Sequence, residues 1–187
     1  MNQLGNPALL GRTRIALLCS IQRPGDIILK TLDLMQELRN TAACVVSGFH
    51  SPVERECLNI LLRGPSTGCG IAICYARSLP KRIPAELKKA IESNRLLILS
   101  ACDDRQSRAT EQTSAERNRI VGALADVVFV PYASPGGKTE ALGRELLSLG
   151  MHVLTLRGDY NAALLDAGAS AIGTAFEMPV CSRSLPE

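Results

Sequence analysis

The sequence predicts an α/β domain with a mostly parallel sheet covered by helices on both faces. Two observations carry this. Short, almost wholly apolar runs recur along the chain, and between them lie stretches with apolar residues at helical spacing. Strands with no polar face must be covered on both sides, which is the environment of a parallel sheet. With 187 residues and 46% hydrophobic content, the chain is long enough for one sizeable core.

The elements follow in order. "RIALLCS" (14–20) reads as a buried strand. "DIILKTLDLMQELRN" (26–40) is a helix through Ile28, Leu32, Met35 and Leu38. "AACVVSG" (42–48) is the next strand, and Ser51-Pro52-Val53-Glu54 is a capping box with Pro at the first helical position. "GCGIAICYA" (68–76) is a strand, "PAELKKAIESN" (84–94) a helix and "RLLILSA" (95–101) a strand. Residues 102–113 are polar and aperiodic, a surface loop. A helix then opens with Ser114 as its expected N-cap. "DVVFVPYA" (126–133) is a strand, "SPGG" (134–137) a tight turn and "KTEALGRELLSLG" (138–150) a helix stopped by Gly150. "HVLTLRG" (152–158) is the last strand and "NAALLDAGA" (161–169) a short helix. The alternation amounts to a single Rossmann-like domain over 13–173. An N-terminal extension (1–12) precedes it and a loosely held tail (174–187) follows.

Composition excludes several classes. No apolar run is long enough to span a bilayer, and the start lacks the order of a signal peptide. Seven cysteines, an odd number without a CxxC pair, suit reduced thiols in a cytoplasmic protein. With two histidines no metal site is expected, and no cofactor is implied. The net charge of +3 is compatible with an anionic ligand without requiring one. The absence of Trp and 3% aromatic content leave no broad base-stacking platform, although Phe49 or Tyr132 could stack a single base.

In this fold every strand-to-helix turn opens on one edge of the sheet, where ligands bind. The turns here carry small residues and donors: Ser20 and Arg23 after the first strand, Ser47, Gly48 and Phe49 after the second, and Ser134, Gly136, Gly137, Lys138 and Thr139 after "VVFVPYA". Backbone N–H groups at helix starts, with hydroxyls, form a phosphate cradle. Arg117, Asn118 and Arg119 add anion ligands at the start of a helix. Arg117 shares a face with Ile120, Val121 and Leu124, so it should point inward at the ligand edge while Arg119 points elsewhere. A cation at a helix N-terminus opposes the macrodipole, a conflict that a bound anion would resolve. Snorkelling to solvent, or pairing with Glu116 or Asp126, is the alternative. "GGKT" is no P-loop, because Tyr132 stands where the first glycine must be, and no G-x-G-x-x-G occurs. No catalytic constellation stands out; His50 reads as a turn residue, and Glu54 and Glu140 as helix caps.

These segments resemble the Rossmann domain of the DNA-processing protein A family (DprA, also called Smf). That family carries a first strand ending in Gly-Ser-Arg, then S-G-x-A-x-G-I-D, L-S-E, R-N-R-I-I-A-G-L, a Ser-Gly turn and N-x-L-I-x-x-G-A. This chain has Cys19-Ser20 with Arg23 nearby, Val46-Ser47-Gly48-Phe49, "LLILSA", "ERNRIVGALADVVFV", "SPGGKTEAL" and "NAALLDAGA", in that order over 13–173; "ARSLPKRIP" loosely follows the family's G-L-D-x-x-Y-P loop. Cys19 replaces the first glycine, Glu54 falls where the family has Asp, and Ala101 replaces the acid of L-S-E. The length leaves no room for the helical and winged-helix domains of many members. The resemblance implies binding of single-stranded DNA or a nucleotide without chemistry of the chain's own. It also implies a role in DNA uptake and recombination, a RecA-type recombinase as partner, and a homodimer as a possible assembly. "PGGKTEALGRE" is also similar to the P-G-G-x-G-T-x-x-E motif of the LOG phosphoribohydrolases, at shortened spacing. Nucleotide hydrolysis is therefore the alternative, with a non-catalytic nucleotide sensor as a third option.

Overall fold

A computed structural model describes residues 1–21 and 24–173. The chain folds as β1 (Asn2–Gly5), a 3-10 turn (Pro7–Gly11), β2 (Arg14–Leu17), α1 (Gly25–Leu38), β3 (Cys44–Ser47), α2 (Pro52–Leu62), β4 (Gly70–Tyr75) and α3 (Ala85–Glu92). It continues with β5 (Leu96–Ser100), α4 (Glu111–Leu124), β6 (Val127–Val130), α5 (Lys138–Ser148), β7 (His152–Leu156), a second 3-10 turn (Asp159–Asn161), α6 (Ala162–Asp166) and β8 (Ser170–Ile172). The strands form one sheet in the order β1-β5-β4-β3-β2-β6-β7-β8. All neighbours are parallel except β1, which runs antiparallel to β5. The expected α/β architecture is present, doubly wound.

Alternation along the strands sorts their side chains into two layers. Ile15, Leu17, Val45, Ile71, Ile73, Leu96, Ile98, Val127 and Phe129 pack with Ile27, Leu34 and Met35 of α1, Val53, Cys57 and Leu61 of α2, and Leu87 of α3. Ala16, Leu18, Val46, Ala72, Cys74, Leu97, Leu99, Val128 and Val130 pack with Val121 of α4, Leu142 and Leu146 of α5, and Leu164 of α6. Each fully buried Leu, Ile or Phe stabilises the fold by about 1.5–3 kcal/mol. Two faces are thereby closed, as the all-apolar strands require. Small Ala16 and Ala72 lie on the face that α4 crosses, where it packs against β2, β3 and β4.

Three local expectations change. Asn2–Gly5 is not outside the domain but caps the edge of β5, with Asn2 opposite Ser100. Strand β8, absent from the sequence reading, pairs with β7; three residues are too few for a period-2 signal. Helix α4 begins a turn early. Thr110, not Ser114, is its N-cap, and Thr110 and Thr113 cap each other reciprocally. Part of the expected 102–113 loop is therefore helix, hidden because Glu111, Gln112 and Thr113 present no apolar face. The capping box at Ser51 and Glu54 forms as read. The tail (174–187) lies outside the described residues. No helix among those described is long and apolar enough to cross a membrane.

Candidate anion-binding cleft

The strand order reverses at β2. From β2 the chain passes through α1 to β3 on one side; from β5 it returns through α4 to β6 on the other. Crevices at such switch points, outside the carboxyl ends of the strands, are where doubly wound sheets bind ligands. Here the crevice is a cleft of about 810 Å³, walled by the turn after β2, His50 and Glu54, the first half of α4 and the N-terminal half of α5.

The turns after β2 and β6 are tied across the crevice: the Ser134 N–H donates to Ser20 Oγ at 2.9 Å. Ser134–Gly137 is a type II-like turn, with Pro135 second, Gly136 third at φ +67°, and the Gly137 N–H bonded to the Ser134 carbonyl at 2.8 Å. Gly137 is then the N-cap of α5 and provides no side chain to cap it. The positive end of that helix, with Lys138 and Thr139 in its first turn, opens into the cleft.

Arg117 is the buried cation of the site, 5% exposed. It stands in the second turn of α4 rather than at its N-terminus, because the helix starts earlier than expected. The conflict with the dipole is correspondingly weaker, and burial is the larger cost. Burial pulls its pKa below the usual guanidinium value, opposed by the nearby Glu54 carboxylate. Among the described residues its one hydrogen-bond partner is His50 Nδ1, 3.2 Å from Nη2, and its Nε is buried without a partner. It pairs with neither Glu116 nor Asp126. Asp126 is held at the opposite edge by the Arg14 backbone and guanidinium.

Gly48 explains how the arginine fits. A Cβ there would lie 1.7 Å from Arg117 Nη1. The close approach that requires glycine at this turn is thus made by the guanidinium of Arg117; a ligand is not what fills that space. Phe49 takes φ +47° but its ring is buried in the core, so it cannot stack a base on the cleft. That expectation is corrected: the turn reverses at Phe49 and carries the ring inward. Ser47 is also internal, with its Oγ bonded to the Leu17 carbonyl and receiving the Phe49 N–H. It shapes the turn and does not line the cleft.

Glu54 is the residue that sequence reasoning valued least. It is 1% exposed, and its carboxylate accepts from the N–H groups of Cys19, His50 and Ser51 at 3.0, 2.9 and 3.1 Å. Burial alone would raise its pKa; the His50 contact and charge and the backbone N–H groups outweigh that and hold it below the usual carboxylate value. It therefore fixes the β2 and β3 turns to each other. His50 Nδ1 lies 2.9 Å from Glu54 Oε2 and 3.2 Å from Arg117 Nη2; carrying a hydrogen it donates to the carboxylate, lacking one it accepts from the guanidinium, so it serves one of the two at a time. The capping box was legible in Ser51 and Glu54, but the reach to Cys19 depends on strand order.

Asn118 lines the cleft, with a buried Oδ1 that has no partner. Arg119 and Lys138 also line it, yet both are paired: Arg119 with Glu145 at 2.9 Å and Lys138 with Glu111. Gly136 is exposed beside the cleft, and its N–H is 3.3 Å from Glu140 Oε2. Ser20, Arg117, Asn118, Arg119, Ser134, Gly137, Lys138 and Thr139 are thus brought together; Arg23 lies outside the described residues. Burial pushes the Cys44 and Cys74 thiols up to about 12 and Cys69 to about 11, and none of these three lines the cleft. No group of three metal-ligating side chains occurs among the described residues.

A doubly wound α/β sheet with a donor-lined cleft at its switch point defines a Rossmann-like class of domain, with its ligand site expected at that cleft. Within that class the chain belongs to a particular family: residues 2–176 match the model described as DNA recombination-mediator protein A. Its structure is similar to DNA processing protein A from Streptococcus pneumoniae (TM-score 0.73, 19% identity, 91% of this chain and 62% of that one). It is also similar to DNA processing protein A from Helicobacter pylori, a single-stranded DNA binder (TM-score 0.72, 23% identity, 91% of this chain and 80% of that one). The molybdenum cofactor binding protein from Rippkaea orientalis shares the fold more distantly (TM-score 0.56, 12% identity, 87% of this chain and 88% of that one). None of the curated proteins compared with the chain matches it. The chain spans less than two thirds of the pneumococcal protein.

Proposed function

We propose that the chain binds single-stranded DNA or a nucleotide phosphate in this cleft, in DNA uptake or recombination, with a RecA-type recombinase as partner and without chemistry of its own. The observation that carries this is Arg117: a guanidinium buried at the switch point, in contact with one histidine that it shares with Glu54, and with no carboxylate paired to it directly. A buried charge so placed gains most from an anion. Family membership and the likeness to a single-stranded DNA binder support the choice of ligand class.

The carboxylates lining the cleft favour binding over hydrolysis of a nucleotide. Glu54, buried, is committed to three backbone N–H groups, while Glu111 and Glu145 face Lys138 and Arg119 in solvent-exposed pairs. Glu140, at the site of the hydrolase-like motif, contacts Arg144 and the Gly136 N–H. A general acid or base needs a carboxyl free to exchange its proton with substrate.

The test is equilibrium binding to oligo-dT, duplex DNA and thymidine monophosphate across a salt series. Oligo-dT is expected to bind more tightly than duplex. Failure of all three to bind, or release of free base from the monophosphate, would overturn the proposal.

A further inference from the structure

Among the described residues the lining of the cleft is nearly balanced in charge, and this limits what it can hold. Three cations line it, Arg117, Arg119 and Lys138, and three carboxylates, Glu54, Glu111 and Glu145. Two of the cations face carboxylates at the rim, in the solvent-exposed pairs Lys138–Glu111 and Arg119–Glu145 that join α5 to α4. A surface that tracks a polyanion along its length presents a row of unpaired cations. Among the described residues lining this cleft, one cation has no ion pair with a rim carboxylate, and it is buried.

We infer that the cleft takes a single terminal phosphate monoester rather than successive internal phosphodiesters. This rests on the reading of the cleft as the anion site. A monoester carries close to two negative charges on three oxygens, where a diester carries one on two. Its compact charge suits one guanidinium together with the uncapped N-terminus of α5, whose first-turn N–H groups have no side-chain cap. Lengthening the anion would bring further phosphates against the rim carboxylates Glu111 and Glu145. Asn118 Oδ1, buried and without a partner, adds an acceptor beside the phosphate, and the sugar hydroxyl or base amine next to a terminal phosphate supplies its donor. The chemistry is shared by two sources, a free nucleoside monophosphate and the phosphorylated end of a strand.

The experiment compares, by titration calorimetry or anisotropy, oligo-dT carrying a 5′-phosphate, the same strand with a 3′-phosphate, the strand with hydroxyl ends, and thymidine 5′-monophosphate. One phosphorylated strand is expected to bind at least about tenfold more tightly than the hydroxyl-ended strand. The log–log salt slope should be near or below about one, since each phosphate neutralised on a single strand contributes about 0.7. Equal affinity of the monophosphate and the phosphorylated strand assigns the ligand to free nucleotide; a clear advantage of the strand assigns it to an end. Glu111→Gln with Glu145→Gln unmasks two cations, and should steepen the slope and reduce the preference for a phosphorylated end. Equal binding of all strands with a slope of two or more would overturn the inference while leaving strand binding intact. Absence of binding by every probe would instead remove the anion-site reading on which it rests.

Discussion

The two edges of the sheet each bury an arginine over a glycine, and they use it differently. At the amino edge, Arg95 is 4% exposed. Its terminal nitrogens donate to the carbonyls of Leu61, Leu62, Gly64 and Cys69 at 2.7, 3.4, 2.9 and 3.2 Å. These include the carbonyls of Leu61 and Leu62 in the last turn of α2, so the side chain closes that helix. A Cβ on Gly64 would lie 2.9 Å from its Nη2. At the carboxyl edge, Arg117 rests on Gly48 in the same manner, yet has a single histidine as partner. Both leave Nε buried without a partner, but four carbonyls against one histidine separates an arginine that completes the fold from one with donors to spare, as the proposed anion site requires.

The largest effect should come from breaking the satisfied side. Arg95→Ala removes four donated hydrogen bonds, although the Leu61 carbonyl keeps the Gly64 N–H, and is expected to cost on the order of 3 kcal/mol of stability, read in urea denaturation. A loss below about 1 kcal/mol would remove the contrast. Gly48→Ala should come next. Its methyl displaces the Arg117 guanidinium, so ligand affinity should fall about as far as when the arginine is removed, with little loss of fold. Normal affinity in that variant would mean the guanidinium has room to work elsewhere.

Glu54 sharpens the comparison through pH. Its folded pKa lies below the unfolded value near 4.5. Its contribution is therefore fully present above that value and lost as pH falls through the lower folded value. Glu54→Gln should cost about 1–2 kcal/mol at neutral pH and flatten the acid limb of a stability–pH curve. An unchanged acid limb would show that the carboxylate is not held as described. The smallest effects belong to the exposed rim: Arg119→Ala is expected to change stability by less than about 1 kcal/mol.

The sequence made the two layers and the carboxyl-edge turns legible, because both follow from period: "CVVS" and "LLILS" have no polar face, and "SPGG" dictates its own turn. It also showed Arg117 on the sheet-facing side of its helix, through its spacing to Val121. Hidden features depend on distant segments. That Gly48 serves Arg117, that Glu54 reaches Cys19, and that Lys138 and Arg119 are already paired all require strand order to be known. Asn2–Gly5 was missed because an edge strand that is exposed throughout carries no apolar pattern. The Phe49 ring misled because its direction is set by one residue of positive φ.

The most direct measurement is Arg117→Ala, taken through ligand binding and urea denaturation together, with Arg117→Lys beside it. A charge-assisted contact to phosphate is worth roughly 1.5–3 kcal/mol. Arg117→Ala is therefore expected to weaken binding by about tenfold to a hundredfold with stability within about 1 kcal/mol of the parent, and Arg117→Lys to restore part of the affinity. Loss of stability as large as that of Arg95→Ala, with normal binding by the folded fraction, would contradict it and make Arg117 a second structural arginine.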